Sequence, residues 1–309
     1  MQSLRIKDTT FTNGPLLIII AALLWALDGV LRRGLYTYPP IGIIFIEHLI
    51  GFAILLPFVF KHFKKTTLTR KDWGIMALVS LFSGLLGTLF FTAALLKTAF
   101  ISFSVVFFLQ KLQPLFAIGT AHVFLKEPIH KKYLVYAGLA LVAAFYLTFP
   151  MGRINFETGS GTAVAGLLAF LAAACWGSST TFSKMMLADK NPQVVTFLRF
   201  AMTTVLAFLA IILVGKQETA LRFPETAELW RFLVIALSTG MVALLIYYKG
   251  LKNTPVRVAT IFELMFPLVA VLIDLLVYNT TLHPTQYVAG ALLIMAMYQI
   301  GKYHDAYAV

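Results

Sequence analysis

A chain of 309 residues is long enough for two soluble domains of about 150 residues each, but its composition excludes that arrangement. Hydrophobic residues make up 60% of it and charged residues only 12%, about half the charged share of an ordinary soluble domain. The formal net charge of +12 would suit nucleic acid if the basic residues gathered on one face, and they are instead scattered over many short loops.

Apolar runs that approach or reach the ~20 residues needed to cross ~30 Å of hydrocarbon recur ten times. They lie at about 14–31, 40–60, 74–96, 99–125, 133–149, 163–187, 192–214, 230–250, 257–279 and 284–302. Each is expected to be helical, because unpaired backbone groups are costly in lipid. The first run follows Arg5 and Lys7 and superficially resembles a leader peptide. Asp28, Arg32 and Arg33 come after it without a small-residue cleavage pattern, so it reads as a retained first helix. The longest connectors, 61–72, 150–162 and 215–228, are too short for a soluble domain. With the N-terminus placed in the cytoplasm, the inner segments carry sixteen Lys and Arg and the outer segments seven. That is the excess expected of cytoplasmic loops. Topology therefore accounts for the basic balance, and nucleic acid is not an expected partner. The expectation is a multi-pass protein of the plasma membrane, in a bacterium the inner membrane, with both termini cytoplasmic.

The chain also reads twice. Trp25, Pro40, Phe45 and Glu47 are matched by Trp176, Pro192, Phe197 and Arg199, at an offset of 151 that slips to 152; Gln110 and Pro114 are matched by Glu263 and Pro267 at 153. The predicted fold is an all-α membrane protein of ten transmembrane helices in two inverted five-helix repeats, 1–155 and 156–309. An odd number of crossings per repeat turns the copies upside-down to one another and builds a site near the membrane midplane.

Ionisable residues inside the spans are the leading site candidates, since a charge in hydrocarbon costs at least ~2.5–3.5 kcal/mol and usually faces a cavity or a partner. Asp28 lies one turn from Arg32 and reads as half of an interfacial pair; Asp274, toward the outer end of its helix, reads as solvated. Glu47 lies seven residues into its helix, roughly 10 Å deep, and Lys111 lies close to the midplane. The two are expected to pair, either as a fixed lock on helix register or as a pair that opens or changes protonation with substrate. Arg199 and Glu263 sit at similar depth and form a second expected pair, structural, gating or anion-binding. Glu47 and His48 are the candidates for proton coupling.

Trp25 and Trp176 lie well inside their helices, and Trp176 precedes Gly177, Ser178, Ser179, Thr180 and Thr181. Small hydroxyl residues permit close helix approach and can line a polar cavity, while the indoles either pack or form an aromatic wall against an organic substrate. Phe90, Phe91, Phe107, Phe108, Tyr247 and Tyr248 could complete that wall. Pro114 and Pro267 each remove a backbone hydrogen bond inside an apolar run, which predicts a kink or a hinge in each repeat. Cys175 is the one cysteine, which excludes an internal disulfide and a multi-cysteine metal site; beside Ala172, Ala173 and Ala174 it marks a close helix contact. Zinc-protease, nucleophile-elbow and phosphate-loop motifs are missing, and the six histidines are scattered. No metal or cofactor is expected. The alternatives to transport are a membrane-embedded enzyme acting on a lipid-linked substrate, and a sensor or scaffold.

On these residues the chain resembles the drug/metabolite transporter superfamily in its ten-helix form with two EamA-type repeats. The resemblance rests on Trp25 and Trp176, on Pro40 and Pro192, on Arg199, on the run Phe108–Leu115, and on Leu125–Lys126–Glu127–Pro128 with Gly138. It covers nearly the whole chain and implies a metabolite transporter with a central cavity between the repeats, usually an exporter. Two departures stand out. Members often carry a basic residue at the position of Glu47, and the counterpart of Glu127 in the second repeat falls in Asn279–Thr280–Thr281. The expected cargo is a small amphipathic, amino-acid-like metabolite, moved by alternating access. Trp25, Glu47, Phe107, Lys111, Trp176, Ser179, Arg199, Tyr247 and Glu263 are expected to bind it, Pro114 and Pro267 to act as hinges, and the protein to be a monomer or weak dimer.

Overall fold

The computed structural model describes residues 14–35, 37–97, 105–154, 162–277 and 281–307. Among the described residues the chain is helical throughout, joined by short turns. Among these residues, six helices are long and apolar enough to cross a membrane: Pro40–Lys65, Arg70–Lys97, Ala163–Leu187, Pro192–Leu213, Thr226–Lys252 and Val256–Ile273. Their outer faces carry large apolar side chains such as Phe58, Trp230 and Leu213, exposed by 73%, 67% and 87%. Exposed apolar surface of that extent, on helices long enough to span a bilayer, suits contact with lipid.

Local chemistry sets the helix starts. In the first half α1 spans Gly14–Arg32, α2 Pro40–Lys65 and α3 Arg70–Val79. A π-helical stretch at Ser80–Gly87 leads into α4, Thr88–Lys97. Then come α5 (Val105–Gln110), α6 (Gln113–Thr120) and α7 (Lys131–Thr148). In the second half α8 spans Thr162–Leu187 and α9 Pro192–Leu213; the short α10 is Gln217–Ala220. Helix α11 (Thr226–Ile235) passes through a π-helical stretch, Ala236–Gly240, into α12 (Met241–Lys252). The last elements are α13 (Val256–Phe262), α14 (Met265–Val277) and α15 (Pro284–Tyr307). Proline opens both α2 and α9, where its missing N–H is no loss.

Helix α3 starts at Arg70 and α11 at Thr226, each four residues earlier than the apolar runs predict. The cause is a capping box in each. The Asp72 backbone N–H donates to Thr69 Oγ1 at 3.2 Å and the Thr69 N–H donates to Asp72 Oδ2 at 2.8 Å; Glu225 and Glu228 repeat the arrangement. Polar caps extend a helix beyond its hydrophobic stretch.

Packing exchanges partners between the halves. Helix α2 lies along α9 and α7 along α15; α1 lies along α12, and α8 along α3, the π-stretch and α4. Helix α8 also packs closely on α6. Ala165, Ala169, Ala172 and Ala173 of α8 are fully buried, and a Cβ at Gly177 would stand 2.5 Å from the Gln113 carbonyl oxygen. Small residues permit this approach, as in membrane helix pairs generally; Cys175, beside them, is half-buried. Glu127 ties the halves at one end. Its carboxylate accepts the Val256 and Arg257 backbone N–H groups at 2.7 and 3.0 Å, so it caps α13 while Tyr133 Oη donates to the Arg257 carbonyl at 2.7 Å.

Candidate functional site

Both proline-bearing helices are broken, and in the same way. Helix α5 ends at Gln110 and α6 begins at Gln113; α13 ends at Phe262 and α14 begins at Met265. Proline cannot donate to the carbonyl four residues earlier, which is Gln110 for Pro114 and Glu263 for Pro267. The backbone compensates by tightening. Lys111 N–H bonds to Phe108 O at 2.8 Å, and Phe266 N–H bonds to Glu263 O at 3.0 Å, both three-residue steps. The breaks therefore precede the prolines by a few residues, and Lys111 and Glu263 sit within them. Interrupted helices at a midplane site are a recurrent way for transporters to present polar groups.

The two breaks face one cavity of about 220 Å³ between the halves. A continuous polar chain links them. Lys111 Nζ donates to Gln110 Oε1 at 2.8 Å, Gln110 Nε2 donates to Gln113 Oε1 at 3.2 Å, and Gln113 Nε2 donates to Glu263 Oε2 at 2.6 Å. Tyr247 Oη donates to the other Glu263 oxygen at 2.6 Å. An ammonium can only donate and a carboxylate can only accept, so both amides point the same way along the chain. Lys111 also stands 3.3 Å from the centre of the Phe266 ring, a cation–π contact that partly offsets its removal from water.

A second cluster lines the same cavity. Arg32 donates through Nη2 to Glu47 Oε2 at 2.7 Å and through Nε to Asp28 Oδ2. Thr239 Oγ1 donates to Asp28 Oδ1. A Cβ at Gly240 would stand 2.9 Å from Glu47 Oε1, so the glycine that ends the π-stretch makes room for this carboxylate. Gly87, which ends the π-stretch at Ser80–Gly87, makes room in the same way for the Trp176 indole, 2.6 Å from where its Cβ would be. Trp176 Nε1 donates to the Ser83 carbonyl at 3.2 Å, and its ring lies 5.2 Å from Phe91. Trp25 lies 5.0 Å from the Tyr247 ring, and Ser183 and Tyr248 share a 3.0 Å hydroxyl contact.

These positions correct both pairs expected from the sequence. Glu47 pairs with Arg32 rather than Lys111, because α2 lies along α9 and the end of α1 reaches over it. Glu263 takes neutral donors rather than Arg199, because the break turns it toward α12 and Gln113. Arg199 lines the cavity, and its Nε has no hydrogen-bond partner among the described residues. His48 is buried, its ring 4.8 Å from Phe200 and its Nδ1 2.9 Å from the Ile44 carbonyl oxygen. Ser179 lines the cavity with its hydroxyl 3.4 Å from the Val79 carbonyl. The side chains of Phe107 and Asp274, and residues 279–280, lie outside the described residues.

Sequence reasoning missed Gln113, and it left Gln110 as a marker of the repeat only. The signal was available, since Gln110 occupies the position equivalent to Glu263. It also read Asp28 and Arg32 as a pair at the interface, whereas Arg32 is 6% exposed and joins Glu47.

Comparison with known proteins places this geometry. A riboflavin transporter, ImpX, of Fusobacterium nucleatum is 36% identical over 94% of this chain and 98% of its own length. An uncharacterized transporter of a Synechocystis species is 26% identical over 75% of this chain and 66% of its own. A crystal structure superposes with a TM-score of 0.74 over 95% of this chain and 99% of that one, at 18% identity, which shows a shared fold. The sequence matches the EamA-like transporter family over residues 12–149 and again over 164–301. This chain is a multi-pass membrane transporter that belongs to the EamA-like family.

Proposed function

We propose that the protein carries riboflavin, or a flat heterocycle of similar size, across the membrane by alternating access at the cavity between its halves. The observation that carries this reading is the pairing of aromatic faces with an ordered polar chain. Trp25 with Tyr247, and Trp176 with Phe91, line the cavity as two aromatic pairs that suit contact with a fused ring system. Gln110, Gln113 and Lys111 offer amide and ammonium groups to the carbonyl and imide edge of such a ring. Arg199 and Ser179 add polar surface for a hydroxylated tail. The similarity to a riboflavin transporter over nearly both full lengths supports this cargo over the amino-acid-like one expected from the sequence.

The reading includes ten crossings in two inverted repeats, 1–155 and 156–309, in the plasma membrane of a bacterium with both termini cytoplasmic. Its support is the double family match, the equivalent broken helices, and the exchange of partners by which α1 meets α12 and α8 meets α3 and α4. The cavity, at about 220 Å³, is below the ~300–1,000 Å³ of ligand-filled pockets. Loading a three-ring substrate therefore requires the halves to move apart, with the breaks before Pro114 and Pro267 as hinges.

The test is riboflavin fluorescence in liposomes containing the purified protein, reading uptake and efflux separately so that the expected export direction is tested too. Trp176→Ala and Lys111→Met are each expected to lower flux about tenfold, equivalent to ~1.4 kcal/mol of lost binding. Transport of amino acids but not of flavins overturns the cargo; full flux in both variants overturns the site.

A further inference from the structure

Two of the carboxylates that line the cavity, Glu47 and Glu263, are compensated differently. Glu47 is held by a guanidinium at 2.7 Å. Glu263 has, among the described residues, no cation within ion-pair distance; its two oxygens are held by the Tyr247 hydroxyl and the Gln113 amide, each at 2.6 Å. An ion pair fixes a carboxylate in its charged form. Neutral donors that can also accept do not. A tyrosine hydroxyl rotates between donating and accepting, so the Tyr247 contact can satisfy either protonation state of Glu263, whereas Lys111, acting through Gln110, holds the Gln113 amide as a donor. The donors come from opposite halves, Gln113 from the first and Tyr247 from the second, so the carboxylate bridges the parts that must separate.

We infer that Glu263 is a proton-binding site through which this transporter is coupled to the transmembrane proton gradient. The inference rests on the transport reading above. In the ionised state Glu263 accepts from both halves and holds the cavity closed. A proton arriving through water from the open side converts one oxygen to a donor. Tyr247 can turn to accept from a protonated oxygen, but Gln113 cannot, so a proton on the oxygen that faces Gln113 breaks the contact with the first half; the bridge loosens, and the proton leaves to the opposite side when the cavity reopens there. No other bond is made or broken. Glu47 and His48, the proton-coupling candidates of the sequence, are instead committed to Arg32 and to the Ile44 carbonyl with the Phe200 ring.

Titratable groups surround Glu263 from several elements. Lys111 from the break between α5 and α6 interacts with it electrostatically through the amide chain. Tyr247 and Tyr248 come from α12; Asp28 and Arg32 lie further round the cavity on α1, Glu47 and His48 on α2, and Arg199 on α9. Helix α8 contributes only Trp, Ser and Thr side chains to the lining.

Two measurements on the reconstituted full-length protein test this. The first needs no substrate: infrared difference spectra between high and low pH. The wild type is expected to show a protonated-carboxyl band that Glu263→Gln removes and Glu263→Asp shifts. The second is riboflavin accumulation driven by a gradient of one pH unit, which for one proton per substrate reaches at most about tenfold. Glu263→Gln is expected to abolish that accumulation whatever its absolute flux. A wild type that moves riboflavin but ignores the gradient overturns the proposal and leaves the proposed cargo standing. So does a Glu263→Gln variant that accumulates like the wild type, or a carboxyl band that survives in it. If riboflavin is not carried at all, the cargo reading falls, and the infrared band alone decides for or against Glu263.

Discussion

Two acidic side chains enter one cavity from the two halves, and their surroundings give them opposite behaviour. Glu47 meets Arg32, which also holds Asp28, and the cluster is closed further by Thr239 from α11–α12. The guanidinium is 7% exposed and the Glu47 side chain 6%. Glu263 meets a phenol and an amide and reaches its nearest basic group, Lys111, only through two glutamines. The first arrangement is static because separating buried charges is costly; the second is adjustable because its donors are neutral and the Tyr247 hydroxyl can either donate or accept. Identical chemistry at the Cδ carbon is thus divided into a lock and a switch by the partner alone.

The lock is the easier to break. Arg32→Met leaves Asp28 and Glu47 without their common cation and is expected to destabilise the protein by ~3–5 kcal/mol, read by chemical unfolding in detergent. Neutralising all three positions, as Asp28→Asn with Arg32→Met and Glu47→Gln, is expected to recover most of the loss, because the damage is uncompensated charge rather than lost packing. A triple variant as unstable as the single one would show that the cluster matters for its shape. The switch is expected to respond otherwise. Gln113→Leu removes the amide that joins Lys111 to Glu263, at a stability cost of ~1–3 kcal/mol for the groups left unpaired. Its larger signature is functional: flux should fall about tenfold, the equivalent of ~1.4 kcal/mol. Normal flux in Gln113→Leu would mean that the chain of amides only braces the breaks.

Family membership was readable in the sequence because the duplicated tryptophans and prolines are spaced by backbone requirements that recur in each copy. Trp176 needs Gly87 beside it, and Pro192 can only open a helix. The interior breaks were readable too, since Pro114 and Pro267 each remove a backbone donor there, although α2 continues through Pro57 without a break. Partner choice was not. Depth along a helix gives the height of a side chain but not its azimuth or its neighbour, so Arg199 and Glu263 at similar depth, and the opposite charges of Glu47 and Lys111, read as pairs. Their true partners follow from α2 lying along α9 and α1 along α12, contacts between segments far apart in the chain. The π-stretches at Ser80–Gly87 and Ala236–Gly240 compound the problem, because an inserted residue rotates everything after it by about a third of a turn. The starts of α3 and α11 were missed for a simpler reason: the capping residues Thr69 and Glu225 are polar and lie outside the apolar runs.

The smallest effect is expected where an ion pair resembles the lock but lies at the surface. Arg222 donates to Glu228 at 2.6 Å and to Thr37 at 2.9 Å, and its guanidinium lies 3.9 Å from the Tyr38 ring centre. On paper this is as well connected as Arg32, with a carboxylate, a hydroxyl and an aromatic face. Its side chain is 31% exposed against 7% for Arg32, so water and salt screen the charge and can replace its partner. Burial raises the Tyr38 hydroxyl above its ordinary pKa, with Glu228 adding to the effect, so the ring stays neutral at physiological pH and contributes only its face. Arg222→Met is therefore expected to leave the unfolding midpoint of the purified protein within experimental error, and to do so at both low and high salt. A loss approaching that of Arg32→Met would show that connectivity, not burial, decides which ion pairs hold this fold, and would remove the physical basis for separating the lock from the switch.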